Sequence, residues 1–283
     1  MHDNPTMAKD LIEWTKLSDN VGVWYYGIGN GLLSMGFVHT VRDDIRFLRD
    51  TGVFGIYWES HACGYDFNWA ATWLAYELEW DTDKSDEDYD AYYDRVLRVI
   101  YGEDAAPLVR DYIATEDSFY QSGRCVSCWG WGEYFAHHLP HGLWYGHYDA
   151  MFDLIEHARL LADTEKQQLR LDNISASCIY KGSVSSYYTE YEAGNDGRIA
   201  ELSRRYALIN ERMLSHGVDM TAQGYLFAPT IYGEGMVYYP DLEVQMWYAL
   251  KTAPGYVGSW IPLIPTREMP ERVAAILDER NGN

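Results

Sequence analysis

The chain is short of positive charge and of cysteine, and it has no long hydrophobic run. It carries 22 Lys and Arg residues against 43 Asp and Glu residues in 283 positions, a formal net charge of −21. This acidic balance argues against nucleic acid or an anionic lipid surface as a partner, because phosphates would be repelled. No apolar stretch approaches the roughly 18 residues of a membrane-spanning helix. The polar, acidic N-terminal sequence Met-His-Asp-Asn-Pro argues against a signal peptide.

Four cysteines are too few for a disulfide framework in a chain of this length. Cys125 and Cys128 are closely spaced, and histidines follow at positions 137, 138, 141 and 147. This spacing resembles that of zinc ligands. The Trp-Gly-Trp-Gly sequence that follows is more typical of an aromatic loop, and no second close pair of cysteines exists. We expect neither a metal nor a cofactor here, and a plain loop is favoured over a zinc site or a redox pair.

Aromatic side chains are abundant: they make up 16% of the residues, with 25 Tyr and 11 Trp. Flat amphipathic rings pack well in cores, and they also stack on the apolar faces of sugars and bases. Since the negative charge disfavours nucleic acid, carbohydrate is the more reasonable ligand. Packing explains most of the aromatic residues concentrated in residues 129–148 and 225–260, and a stacking surface is the alternative.

Helices and strands alternate in the first 80 residues. Hydrophobic periodicity predicts helices over residues 6–19, 41–50 and 68–80, and short β-prone runs predict strands over residues 21–26 and 53–58. This alternation favours a parallel sheet wrapped by helices, an α/β arrangement. It supplies only two strands, whereas an eight-stranded barrel needs about 250 residues.

After residue 82, the hydrophobic periodicity and the composition of the chain change twice. Helical stripes with steps of three and four residues predict an α-helical bundle over residues 83–217, including a helix over residues 166–192. Residues 218–283 are rich in aromatics, glycine and proline, with little helical periodicity. We therefore predict three units, which are residues 1–82, 83–217 and 218–283.

The strongest candidate site lies at the end of the second predicted strand, at Glu59. In parallel α/β folds, ligands bind where the carboxyl ends of the strands meet their loops. A carboxylate beside aromatic walls suits a sugar, because the ring can stack and the acid can accept hydroxyl hydrogen bonds. The alternative is that Glu59 only caps or pairs locally. The residues that we expect to line the sugar site are Trp24, Tyr25, Tyr26, Trp58, Glu59, His61 and Asp66.

The same region resembles glycoside-hydrolase barrels. Gly-Ile-Tyr-Trp-Glu at residues 55–59 and the helix that ends in Leu-Glu-Trp-Asp look like the last strand and helix of such a barrel. The β-N-acetylhexosaminidases of family 20 have a similar Trp-Gly-Glu, and the family 67 α-glucuronidases have a similar Asn-Trp helix. The chain also resembles an uncharacterised bacterial domain family related to these α-glucuronidases. Four motifs carry that resemblance, in order, at residues 24–26, 44–47, 78–81 and 100–107.

This resemblance implies that residues 1–82 form the last strand–helix units of a (β/α)8 barrel, a partial barrel followed by the helical bundle. A preceding segment or a second copy of the chain would then complete the sheet. It implies a carbohydrate ligand, with Glu59 binding substrate hydroxyls. In family 20 the acid/base pair lies on an earlier strand, so we expect that pair to be absent here. Asp66, the nearest second carboxylate, makes a poorly supported catalytic partner for Glu59.

The expected function is therefore the binding of a glycan, with hydrolysis in an intact parent protein. A non-catalytic glycan-binding or structural protein is the alternative. Proteins similar to this one are usually exported, so the resemblance implies a periplasmic or extracellular location for a longer family member.

Overall fold

The computed structural model describes residues 5–25, 38–58, 69–122, 141–217, 239–252 and 265–280. Within these ranges, helices and two short strands alternate at first, and helices alone follow. The strands are β1 (Gly22–Tyr25) and β2 (Gly55–Trp58). The helices are α1 (Pro5–Leu17), α2 (Val38–Asp50), α3 (Trp69–Trp80), α4 (Asp86–Tyr101), α5 (Ala106–Ser122), α6 (His141–Leu160), α7 (Glu165–Glu192), α8 (Asp196–Ser215), α9 (Leu242–Thr252) and α10 (Glu271–Arg280).

The two strands form one parallel pair. Gly22 lies opposite Gly55 and Tyr25 lies opposite Trp58. Helix α2 connects the strands, and its buried Val41, Ile45 and Leu48 give it a continuous apolar face. The parallel strands and the helix between them are therefore as the sequence predicts.

The predicted partial (β/α)8 barrel is wrong. Helices make up 78% of the described part of the chain, and its sheet has two strands of four residues each. A local alternation of helix and strand defines one strand–helix–strand unit, but it does not fix how many strands join the sheet. Among the described residues, the helices also form no ring around a barrel. Val41 of α2, Leu74 of α3 and Leu97 of α4 belong to the same hydrophobic core as Leu277 of α10.

Helix α7 is the central helix of the bundle. It contacts α4, α6 and α8, and it is buried on almost all sides. Small residues make this possible, because they let neighbouring helices approach closely: Gly182 lies against the ring of Tyr148 from α6. The result is that α7 also carries polar groups into the core, among them Lys181 and Asp172.

The first turn of α7 is held by a capping box. The hydroxyl of Thr164 accepts a hydrogen bond from the backbone N–H of Gln167, and the side chain of Gln167 accepts one from the N–H of Thr164. We expect Thr164→Ala to lower the free energy of unfolding by about 1 kcal/mol, because helix donors lose their acceptor. Urea denaturation measures this, and Thr164→Ser is the control that keeps the hydroxyl. Equal losses for both variants would contradict the capping role.

Candidate functional site

The two strands divide four aromatic side chains between the faces of the sheet. Side chains alternate along a strand, so Trp24 and Tyr57 share one face while Tyr25 and Trp58 share the other. The ring centroids of Trp24 and Tyr57 are 4.9 Å apart, and those of Tyr25 and Trp58 are 4.8 Å apart. Each face is therefore built on one aromatic pair across the strands, but the two faces differ in what covers them.

The inner face, which carries Tyr25 and Trp58, is tied to helices. The hydroxyl of Tyr25 donates to Oδ2 of Asp44 on α2 at 2.5 Å. The indole N–H of Trp58 donates to Oε1 of Glu79 on α3. Both polar groups are therefore engaged within the protein, and this face attaches the sheet to α2 and α3.

Burial changes the acidity of two groups on this inner face. It raises the pKa of the Tyr25 hydroxyl, and the negative charge of Asp44 adds to the effect. Burial also raises the pKa of the Glu79 carboxyl, against the opposing effect of the hydrogen bond from Trp58. The Tyr25 hydroxyl therefore stays protonated as a hydrogen-bond donor, which suits the fixed contact to Asp44.

The outer face, defined by Gly22, Trp24, Gly55 and Tyr57, presents its rings to solvent. Trp24 is 61% exposed and Tyr57 is 62% exposed. Within the described ranges, a Cβ atom added at Gly55 would meet no atom within 4 Å, and one added at Gly22 would meet only a backbone oxygen at 3.7 Å. Packing therefore does not require either glycine. Their effect is to leave open surface beside the two rings.

The structure places the predicted sugar-site residues on both faces of the sheet and not around one site. Trp24 lies on the outer face, whereas Tyr25 and Trp58 lie on the inner face. Sequence reasoning missed Tyr57, although strand alternation and parallel pairing could have placed it beside Trp24. The other predicted site residues, Tyr26, Glu59, His61 and Asp66, lie outside the described residues.

A cavity of about 380 Å³ lies between α1 and α2. Small-molecule sites have volumes of roughly 300–1,000 Å³, so the size is sufficient for a small ligand. Its charged lining residues are Lys9, Asp43 and Asp44, and Asp44 is also the acceptor for Tyr25 on the inner face. The remaining lining residues are Pro5, Ala8, Ile12 and Phe47.

A second group of charges lies inside the bundle, around the fully buried Asp172. Oδ1 of Asp172 is 2.6 Å from Nε of Arg159, and Oδ2 is 3.1 Å from Nε2 of His216. Nη1 of Arg212 lies 3.4 Å from Oδ1 of Asp172, and Nη1 and Nη2 of Arg212 donate to the two carboxylate oxygens of Glu156 at 2.7 and 2.8 Å. These contacts join α6, α7 and the end of α8, which is a structural role.

Neither a metal cluster nor a membrane helix is found in the part of the chain that the structure describes. No group of three or more His, Cys, Asp and Glu side chains there could hold a metal ion. Likewise, none of the described helices is both long and apolar enough to cross a membrane. Cys125 and Cys128, which raised the zinc and redox alternatives, lie outside the described residues.

A comparison with known protein families gives a match for the first part of the chain. Residues 1–114 match the family model of a domain of unknown function, DUF4838. The match covers about two fifths of the chain and includes both strands and helices α1 to α4. It confirms the resemblance to a domain of unknown function, but it supplies no activity and shows no relationship to glycoside hydrolases. No curated protein and no solved structure matches the chain.

Proposed function

We propose that the protein binds carbohydrate and that the outer face of the sheet is the stacking surface. The exposure of Trp24 and Tyr57 side by side, above two glycines that packing does not require, carries the proposal. Exposed apolar surface in contact with water is unfavourable, so such a pair is most readily explained by a ligand. Sugars suit it, because their C–H faces stack on rings while their hydroxyls stay in water.

Charge restricts the kind of sugar. The chain has a formal net charge of −21, so uronic acids and sulfated sugars would be repelled. Neutral or amino sugars are therefore the proposed ligands. The resemblance of residues 55–59 to glycoside hydrolases supports the same ligand class. Glu59 remains our candidate acceptor for sugar hydroxyls on sequence grounds, because it follows β2 directly in the chain.

Binding, rather than hydrolysis, is the function that we propose. A glycosidase of the usual kind needs two carboxyl groups on either side of the scissile bond, about 5–5.5 Å or 6.5–9.5 Å apart. Two carboxylates that the structure places against the sheet, Asp44 and Glu79, are engaged with Tyr25 and Trp58 on the inner face. Neither stands beside the exposed rings of the outer face.

The test is calorimetric titration with soluble oligosaccharides of cellulose and chitin. We expect Trp24→Ala and Tyr57→Ala each to weaken binding by about tenfold, because each removes one stacking partner. Trp14→Ala on α1 is the matched control, since Trp14 is 62% exposed but belongs to a helix and not to either strand. Its affinity should equal that of the wild type.

Two outcomes would contradict carbohydrate binding on this face. A double variant, Trp24→Ala with Tyr57→Ala, that binds as tightly as the wild type would exclude the outer face. Absence of binding by the wild type across neutral, amino and acidic oligosaccharides would contradict the function itself, and would favour the structural alternative.

A further inference from the structure

Helix α3 exposes a row of three aromatic side chains. Trp73 and Tyr76 are about half exposed, and Trp80 is 90% exposed. At 3.6 residues per turn, steps of three and four residues place these side chains within about 60° of one another around the helix. The opposite side of α3 packs into the core through Leu74 and Leu78. We name Trp73, Tyr76 and Trp80 the α3 row.

The size of the α3 row restricts what can cover it. An aromatic side chain offers about 150–250 Å² of contact area, so these exposed fractions amount to roughly 300–500 Å². A stable protein interface needs about 800 Å² on each partner. The row is therefore too small to hold a second copy of the chain, and two copies with a net charge of −21 each would also repel one another. A narrow, uncharged ligand suits it better.

We propose that the α3 row binds a linear, uncharged polysaccharide along the helix. This inference rests on the proposed function and extends it, because it identifies the ligand as a polymer. Trp73 and Trp80 are seven positions apart on the helix, a rise of about 10.5 Å, which is comparable to two sugar rings of an extended β-1,4-linked chain. Successive rings of the row can therefore contact successive sugars.

The polar groups beside the row agree with an uncharged ligand. Glu77 lies 3.1 Å from Lys84, and the same Lys84 is 3.7 Å from Asp81, which directly follows Trp80. Glu79 accepts from Trp58. Three carboxylates and one ammonium group leave a negative surrounding, which disfavours polyuronates and offers acceptors to sugar hydroxyls.

The experiment is a binding isotherm on microcrystalline cellulose and on chitin, with soluble polygalacturonate as the acidic comparison. We expect Trp80→Ala and Trp73→Ala each to weaken polymer binding by about tenfold. Trp80→Phe should keep most of the affinity, whereas Trp80→Leu should lose it, because stacking needs a flat ring. Trp14→Ala is again the exposed control.

The outcomes separate the two proposals. If the wild type binds neither polymers nor oligosaccharides, both proposals fail. Suppose that oligosaccharide binding is lost in the Trp24→Ala and Tyr57→Ala double variant but that polymer binding is unchanged in Trp80→Ala. The α3 row is then excluded as a binding site, whereas carbohydrate binding on the outer face is supported. Tighter binding of polygalacturonate than of cellulose and chitin would overturn the uncharged ligand. Sedimentation equilibrium tests whether a second copy of the chain occupies the α3 row instead. A wild-type dimer that Trp80→Ala converts to a monomer would show that the row is a contact between copies and would overturn the proposal.

Discussion

Lys181→Met should lower the free energy of unfolding by about 3–5 kcal/mol, measured by urea denaturation followed by far-ultraviolet circular dichroism. Lys181 is fully buried on α7, and its ammonium forms an ion pair with Glu116 on α5. The same Nζ atom lies 5.3 Å from the ring centroid of Trp144 on α6. Methionine replaces the four-carbon stem of the lysine side chain with an apolar chain of equal length, but it leaves the Glu116 carboxylate in the core without the ammonium.

The loss should be large because of the charge that remains, not because the ion pair is strong. Moving a carboxylate out of water costs several kcal/mol, and only a close, well-oriented cation offsets that cost. The double variant Lys181→Met with Glu116→Leu removes both charges. We expect its stability to lie within about 1–2 kcal/mol of the wild type. A double variant as unstable as Lys181→Met alone would contradict this account.

An exposed ion pair supplies the matched control. Lys251 lies 3.3 Å from Asp278, and both side chains are about half exposed. Solvent weakens this pair, so Lys251→Met should cost at most about 1 kcal/mol. The contrast between the two Lys→Met variants isolates the effect of burial.

The helices could be predicted from the sequence because their signals are local. Helix α8 buries Ile199, Leu202, Tyr206, Ile209 and Met213, the same five residues whose spacing of three and four predicts a bundle seam. Helix α4 begins at Asp86, within the acidic sequence of residues 81–90, and the side chain of Ser85 caps it by accepting a hydrogen bond from the N–H of Asp88. Each of these features depends on residues within a few positions of one another.

The number of strands and the core could not be predicted in the same way. Strand pairing depends on segments far apart in sequence, and a strand of four residues says little about how many neighbours it has. The burial of the polar residues on α7 could not be predicted from the sequence either. The sequence predicts the helix over residues 166–192 but not that its Lys181 and Asp172 are buried, which follows from the helices that surround α7.

The candidate site was predicted in part. The sequence identifies the two strands and the aromatic residues at their ends, but it treats Trp24 and Tyr25 as walls of one site. Alternation along β1 puts them on opposite faces, and the pairing register then places Tyr57 beside Trp24. The register between two strands is a tertiary property, so alternation and parallel pairing make Tyr57 a candidate neighbour of Trp24, and the structure fixes the register that pairs them.

Gly182→Ala should destabilise the protein by about 3 kcal/mol, because it places a methyl group where a ring already lies. A Cβ atom at Gly182 would be 2.0 Å from Cδ2 and 2.6 Å from Cγ of Tyr148. The ring cannot easily move aside, since it is fully buried and the guanidinium groups of Arg198 and Arg205 lie 5.5 and 5.2 Å from its centroid. Overpacking of a rigid core typically costs 1–3 kcal/mol and sometimes more.

Helix propensity alone would make a Gly→Ala substitution stabilising, so a glycine in an open part of a helix is a suitable control. Gly146 lies on α6, the same helix as Tyr148, and a Cβ there would meet no atom within 4 Å. Gly146→Ala should therefore stabilise the protein by about 0.5–1 kcal/mol. In the background of Tyr148→Leu, which shortens the obstructing side chain, Gly182→Ala should cost much less than in the wild type. A cost that is unchanged in that background would show that the contact with Tyr148 is not the reason for glycine at position 182.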